Sequence, residues 1–318
     1  MASTGGKSRE NDPRRGNQAR SRQTGKSPTV KSEKGRFRVD LTTANATAFN
    51  RRAILAHYER FAPLIAANFP TIPLVFARHP NGLGGATHYS NRNPIAPMLP
   101  GVTPVTVHTT TGAHVYPACD EFSILAYVNQ WTADGVHSWT PVPGKPEAVR
   151  FARIQLRPEN GASQQDLRDA LILVRDILRA HRVEAIPLWG GRDAALFIPF
   201  ADAPAYPPVR QWLHAITDEA HARSAHIRGE HHAHEQRTER DIELTLRHNA
   251  PGEHSRLPYS LTGAPDVPML TPFDWSELDT LPNGYYTAAN AEERLAQGDV
   301  FKRLTDDLAH QTFAAVAR

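Results

Sequence analysis

Residues 149–200 constrain the fold more than any other part of the chain, because they read as a strand, a capped helix and a hairpin in uninterrupted order. Val149–Leu156 is strand-like. Ser163 with Asp166 three residues later makes a capping box, and Leu167, Ala170, Leu171, Val174, Ile177 and Leu178 then recur at helical spacing as one apolar stripe. Val183–Trp189 and Ala195–Phe200 are two further extended runs, joined by Gly190-Gly191-Arg192-Asp193 as a tight turn. A strand whose helix returns onto the same sheet requires a mixed α/β architecture rather than a bundle or a sandwich.

The flanking segments fit that class. Phe49 to Asn68 reads as an amphipathic helix that Pro63 should kink or end. Short extended runs follow at Leu74–Ala77, Val105–His108 and His114–Tyr116, then a helix through Phe122–Gln130. Beyond the hairpin come a helix from Pro208 to His221, a strand at Asp241–Leu246, proline-rich irregular chain and a last helix near Val300–Val316. With 318 residues and 40% apolar content, the chain is long enough for one large core. Residues 1–36 have almost no large apolar side chain and are expected to be a disordered basic tail, leaving 37–318 as the domain.

Charge divides along the same line. Residues 1–38 hold eleven Lys/Arg against three acids, a charge of +8, whereas the whole chain is +3, so the remainder is about −5. Attraction to nucleic acid therefore comes mainly from the tail. Gly25-Lys26-Ser27 is not a phosphate loop, because Arg20 stands where the leading glycine belongs. The lone Cys119 excludes an intramolecular disulfide. No apolar run reaches the roughly 18 residues that span a bilayer, and the N-terminus has no signal-peptide core, so a cytoplasmic protein without membrane partners is expected.

Several motifs in consistent order resemble the polymerase domain of bacterial ligase D, a branch of the archaeo-eukaryotic primase-polymerases. These are His57-Tyr58-Glu59-Arg60-Phe61-Ala62-Pro63, Arg78-His79-Pro80-Asn81-Gly82, Val128-Asn129-Gln130 with His137 and Trp139, and Gly190-Gly191-Arg192. Leu257-Pro258-Tyr259-Ser260, the run Thr271 to Leu278 and the run Glu293 to Asp299 complete the set. The resemblance covers residues 37–305. It implies a primase-polymerase fold, α+β in type, with central mixed and antiparallel sheets flanked by helices, and a role in DNA repair by non-homologous end joining.

It also implies a catalytic site that this chain lacks. Members of the family place Asp-x-Asp on a central strand, where the period of two puts both carboxylates on one face to bind two divalent cations. Here those positions are Gln155 and Arg157, and the third carboxylate position, counted back from Asn249, is Thr245. A guanidinium about 5 Å from a divalent cation at an effective dielectric near 20 costs about 6–7 kcal/mol. Asp241 and Glu243 share the parity of Thr245, so a register shift would bring one carboxylate back. The phosphate-binding hairpin departs as well, with Trp189 and Ala195 where the family has Ser and His, and Thr262 stands where the family has Arg.

By the same resemblance, His137, Gly190, Gly191 and Arg192 contact nucleotide or phosphate, and Arg92 contacts a DNA 5′-phosphate. Trp189, placed beside that phosphate site, is a candidate for base stacking. His221, His226, His231, His232, His234 and Glu235 fit no closed zinc pattern and read as a solvated linker. The leading expectation is a catalytically degenerate, DNA-end-binding or accessory protein that needs no metal cofactor and works with a separate ligase; RNA ends are a second possible substrate. The alternatives are an active primase-polymerase that holds Mg or Mn through Asp193, Glu184, Glu243 or Asp241, and a protein-interaction module.

Overall fold

The computed structural model describes residues 29–32, 35–38, 47–90, 98–109, 112–235, 239–281 and 286–316. In the N-terminal segment the backbone forms an antiparallel ribbon, β1 (Thr29–Ser32) with β2 (Gly35–Arg38). The expected disordered tail thus ends in paired strands, and its first 28 residues lie outside the described ones. Helix α1 (Thr47–Asn68) follows, then β3 (Val75–Arg78), β4 (His88–Tyr89), the ribbon β5 (Pro104–Thr109) and β6 (Gly112–Pro117), and α2 (Glu121–Gln130). Next come β7 (Ala133–Ser138), β8 (Pro141–Val142), β9 (Lys145–Val149), β10 (Phe151–Pro158), α3 (Gln164–Ala180), β11 (Ile186–Trp189) and β12 (Ala194–Pro199). The chain closes through α4 (Tyr206–Arg223), β13 (Ile227–Arg228), β14 (Ile242–Thr245), β15 (Ser255–Arg256), β16 (Thr271–Pro272), α5 (Glu292–Leu295), α6 (Val300–Asp307) and α7 (Phe313–Val316).

A six-stranded mixed sheet in the order β13-β14-β10-β12-β11-β16 forms the centre, antiparallel except for the β13–β14 pair. Strand alternation gives its two faces different cores. Ala152, Ile154 and Leu156 pack with Leu171 and Val174 of α3 and Leu213 and Ile216 of α4. On the other face, Phe151, Leu188 and Phe197 meet Phe61, Phe69 and Phe301. A second sheet, β15-β7-β3-β4, continues from that face. Arg153 joins the two sheets: its Nη1 donates to Ser138 O at 3.1 Å and to Ser255 Oγ. Its guanidinium lies 4.1 Å from the Phe197 ring centroid, and burial pulls its pKa down to about 9.

The capping box forms as the sequence requires, with Ser163 Oγ accepting from Asp166 N and Asp166 accepting from Ser163 N. Three expectations are corrected. Pro63 does not end α1, because it and Glu59, whose carbonyl loses its i+4 donor, both lie on the exposed side. The strand expected at 149–156 divides at Arg150 into β9 and β10. The terminal helix breaks between Asp307 and Phe313, where Gln311 turns inward to donate to Pro199 O at 2.9 Å and Glu184 O at 3.2 Å.

The Thr271–Leu278 and Glu293–Asp299 runs meet in space. Buried Arg294 donates to Glu277 Oε1 at 2.6 Å, Glu277 Oε2 at 3.0 Å and Pro272 O at 2.6 Å. Tyr259 OH donates to Asp299 Oδ1 at 2.8 Å, and Asn68 donates to Asp299 Oδ2 at 2.6 Å, which ties α1 to the same corner. Both runs therefore serve the architecture. Truncating fully buried Leu171 to Ala should lower the unfolding free energy by about 2–5 kcal/mol and Ser163→Ala by about 1 kcal/mol, read from denaturant midpoints at unchanged slope.

Candidate functional site

Between the two sheets lies a cleft of about 640 Å³. The six-stranded sheet contributes Gln155 and Arg157 from β10, and the β11–β12 turn adds Gly190, Arg192 and Asp193. The smaller sheet contributes Ala77, Tyr89, His137 and Arg256, and the segment after β14 supplies Arg247 and His248. The register is unambiguous: Gln155 stands opposite Thr245 on one side and Ala195 on the other, and Arg157 stands opposite Glu243. No register shift restores a carboxylate at Thr245. Glu243 is in reach of the cleft wall but faces Arg157 at 3.6 Å.

Gln155 is fixed at both ends of its amide. Its Nε2 donates to Asp193 Oδ2 at 2.9 Å, and its Oε1 accepts from His248 Nε2 at 2.9 Å. Arg256 in turn donates to Asp193 through Nη2, while its Nη1 is buried without a hydrogen-bond partner. The carboxylate of Asp193 is therefore shared by an amide and a guanidinium. Two cations demand converging anionic oxygens, and here Gln155, Arg157 and Thr245 provide an amide, a positive charge and a hydroxyl. The residues present do not fit a two-cation centre. Of the carboxylates expected as substitutes, Glu184 pairs with Arg179 at 3.0 Å and Asp241 with Arg228 at 3.0 Å, and neither lines the cleft. Among the described residues, the one group of three His, Cys, Asp or Glu ligands within 4.8 Å of one another is His221, His232 and Glu235, away from the cleft.

The turn depends on its glycines. Gly190 N donates to Asp193 O at 2.8 Å, and a Cβ at Gly190 would fall 2.2 Å from Asp193 Oδ1. Gly191 supplies a φ of 76° and does not itself line the cleft. Arg192 is exposed at the rim, 3.4 Å from Asp266. Trp189 is not beside the phosphate site as expected. Its parity on β11 sends it to the helical face, where it is 2% exposed and its ring lies 5.6 Å from the Arg168 guanidinium, so it cannot stack on a base. Arg92 lies outside the described residues.

His137, expected at the nucleotide, does line the cleft, in a cluster with His254 and Tyr89. The His137–His254 ring centroids are 5.4 Å apart, and Tyr89 lies 5.4 and 4.6 Å from them. Burial first, then the charges of His254 and Arg256, hold His137 well below the usual histidine range. Burial and the Arg153 charge push His248 down to about 3. At the other end, His79 Nδ1 meets Asp134 at 2.7 Å, and burial raises the Asp134 carboxyl against that partner. Arg256, His248 and His254 were not singled out in the sequence; the one available signal was a cation directly before Leu257-Pro258-Tyr259-Ser260. Thr262 lines the cleft, with its Oγ1 accepting from Ala264 N at 3.1 Å.

Comparison with known proteins accounts for the architecture. The family model described as LigD, primase-polymerase domain, matches residues 50–301. The solved polymerase domain of Mycobacterium tuberculosis ligase D in complex with DNA superposes with a TM-score of 0.73 at 21% identity, covering 85% of this chain and 99% of that one. A search of curated proteins returns no match.

The buried histidines give the fold a defined acid response. His248, at about 3, and His57, pushed down by burial to about 4, stay neutral in the folded state where the unfolded chain takes up protons near 6.5. Their contribution is complete above pH 6.5 and is lost as pH falls toward the folded values, at up to about 1.4 kcal/mol per pH unit for each group. Urea unfolding at pH 7 and 5 should show this slope, and His248→Asn should reduce it. Gly190→Ala should displace Asp193 and release Arg256, visible as a lower thermal midpoint.

Proposed function

The chain belongs to the LigD primase-polymerase domain family, and on that premise we propose that it acts in DNA end-joining repair as a DNA-end-binding or accessory member that does not transfer nucleotides. One observation carries the reading: the strand face that should hold paired carboxylates presents Gln155 and Arg157, opposite Thr245 and Glu243. Nucleotidyl transfer with two cations needs anionic ligands on both sides of the reacting phosphate. At this face a cation would meet the Arg157 charge and an amide already bound to Asp193 and His248.

The same arrangement suits phosphate. Arg157, Arg192, Arg247 and Arg256 line one cleft against Asp134, Asp193 and Glu253. Guanidinium groups bind phosphodiesters in pairs of parallel hydrogen bonds without a metal. The related ligase D domain was solved in complex with DNA, and DNA is the class of ligand proposed for this chain. RNA ends would present the same phosphates. The +8 charge of residues 1–38 adds a sequence-independent attraction that brings ends to the cleft. Sealing would fall to a separate ligase.

No helix among the described residues is long and apolar enough to cross a membrane.

Two assays test the reading. Extension of a primed, gapped duplex with manganese and either nucleotide type should give no product, whereas a family member with Asp-x-Asp extends it under the same conditions; template-directed product here would establish the polymerase reading instead. Anisotropy with a 5′-phosphorylated duplex end should show affinity falling steeply with salt. Arg192→Ala and Arg247→Ala should each reduce the log–log salt slope by about 1. Affinity indifferent to salt, to both substitutions and to removal of residues 1–36 would refute DNA binding and leave a protein partner as the reading to pursue.

A further inference from the structure

The histidine-rich segment after α4, expected as a solvated linker, is largely exposed, with His226, His231, His234 and Glu235 at the surface. It folds back as a 3-10 turn, Glu230–His232, against α4, and brings His221, His232 and Glu235 together with ligand atoms within 4.8 Å of one another. His221 is oriented by its backbone: Nδ1 lies 2.7 Å from Ile227 O, so it is the protonated nitrogen that donates to that carbonyl. The lone pair of the neutral ring is then on Nε2, and 3.4 Å away is Glu235 Oε2. Either a second proton on the ring or a metal ion lies between two acceptors that face each other at this distance. Ligand atoms bonded to one tetrahedral zinc at about 2.0–2.1 Å stand about 3.3–3.4 Å apart.

His232 supplies a third donor. Its ring stacks on that of His221 at 3.8 Å and has to turn out of that stack to ligate, and its Nδ1 is buried with no hydrogen-bond partner. A carbonyl behind a ligating imidazole, as Ile227 O is behind His221, is the arrangement that fixes tautomer and ring direction at metal sites. Glu235 is exposed, so the remaining position opens to solvent.

We propose that His221, His232 and Glu235 form a binding site for one borderline divalent transition metal ion, zinc being the natural occupant, with water as the fourth ligand. Two imidazoles and one carboxylate favour zinc, cobalt or nickel over magnesium or calcium, which take oxygen ligands. The bound ion joins the last turn of α4 to the segment leading into β14, the strand that carries Glu243 and Thr245. It is independent of the cleft and of the DNA-binding reading.

The test uses the full chain, stripped with a chelator and titrated with zinc chloride by calorimetry and with cobalt chloride by visible absorption. One equivalent should bind, with the intense d–d bands of four-coordinate cobalt, and zinc should raise the thermal midpoint by several degrees. His232→Ala and Glu235→Gln should each weaken binding tenfold or more, while His231→Ala and His234→Ala leave it unchanged. Glu235→Gln alters an exposed side chain, so loss of metal there with an unchanged metal-free melting curve separates ligation from misfolding. Absence of stoichiometric binding, or affinity equal to wild type in both His232→Ala and Glu235→Gln, would overturn the site.

Discussion

Everything at the cleft depends on β10 being paired along both edges. Hydrogen bonding to β12 and β14 fixes its register, and the pleat then sends Ile154 and Leu156 to the helices and Arg153, Gln155 and Arg157 to the other side. A one-residue slip would bury a guanidinium among Leu171, Val174 and Leu213, so the packed face holds the polar face in place. The cleft row that results is cation, amide, cation. Arg153 directs its charge to the inter-sheet contact and Arg157 to Glu243, while the neutral amide of Gln155 bonds Asp193 and His248.

Around that row the charges are internally balanced. Asp193 bridges Gln155 and Arg256, and the surrounding histidines are kept neutral by burial and by the same arginines. A site that recruits metal normally leaves carboxylates under-compensated until the ion arrives. Here the counter-charges are side chains, Arg256 on Asp193 and Arg157 on Glu243.

The parts legible in the sequence were those governed by local rules or by one strand's parity. Ser163 and Asp166 sit three residues apart and report a helix start directly, and Gln155 and Arg157 report the same face of a strand. The parts that were not legible come from distant segments or from exposure. Arg256 and Asp193 are 63 residues apart, and no spacing rule joins them. Trp189 could be placed near the cleft, but which side of the sheet it faces follows only once β11 is paired with β12. Pro63 reads as a helix breaker until it and Glu59 are seen to face solvent, and the histidines after α4 read as linker until the chain turns back on the helix.

The six-stranded sheet ends in two very short strands, β13 and β16, each of two residues. Long unpaired edges act as templates on which a neighbouring molecule can add a strand, and short ones deny it the length to register. The centre of the sheet is therefore enclosed between borders too small to seed fibrous association, so a domain with this much buried β-structure can be concentrated without adding strands along that sheet.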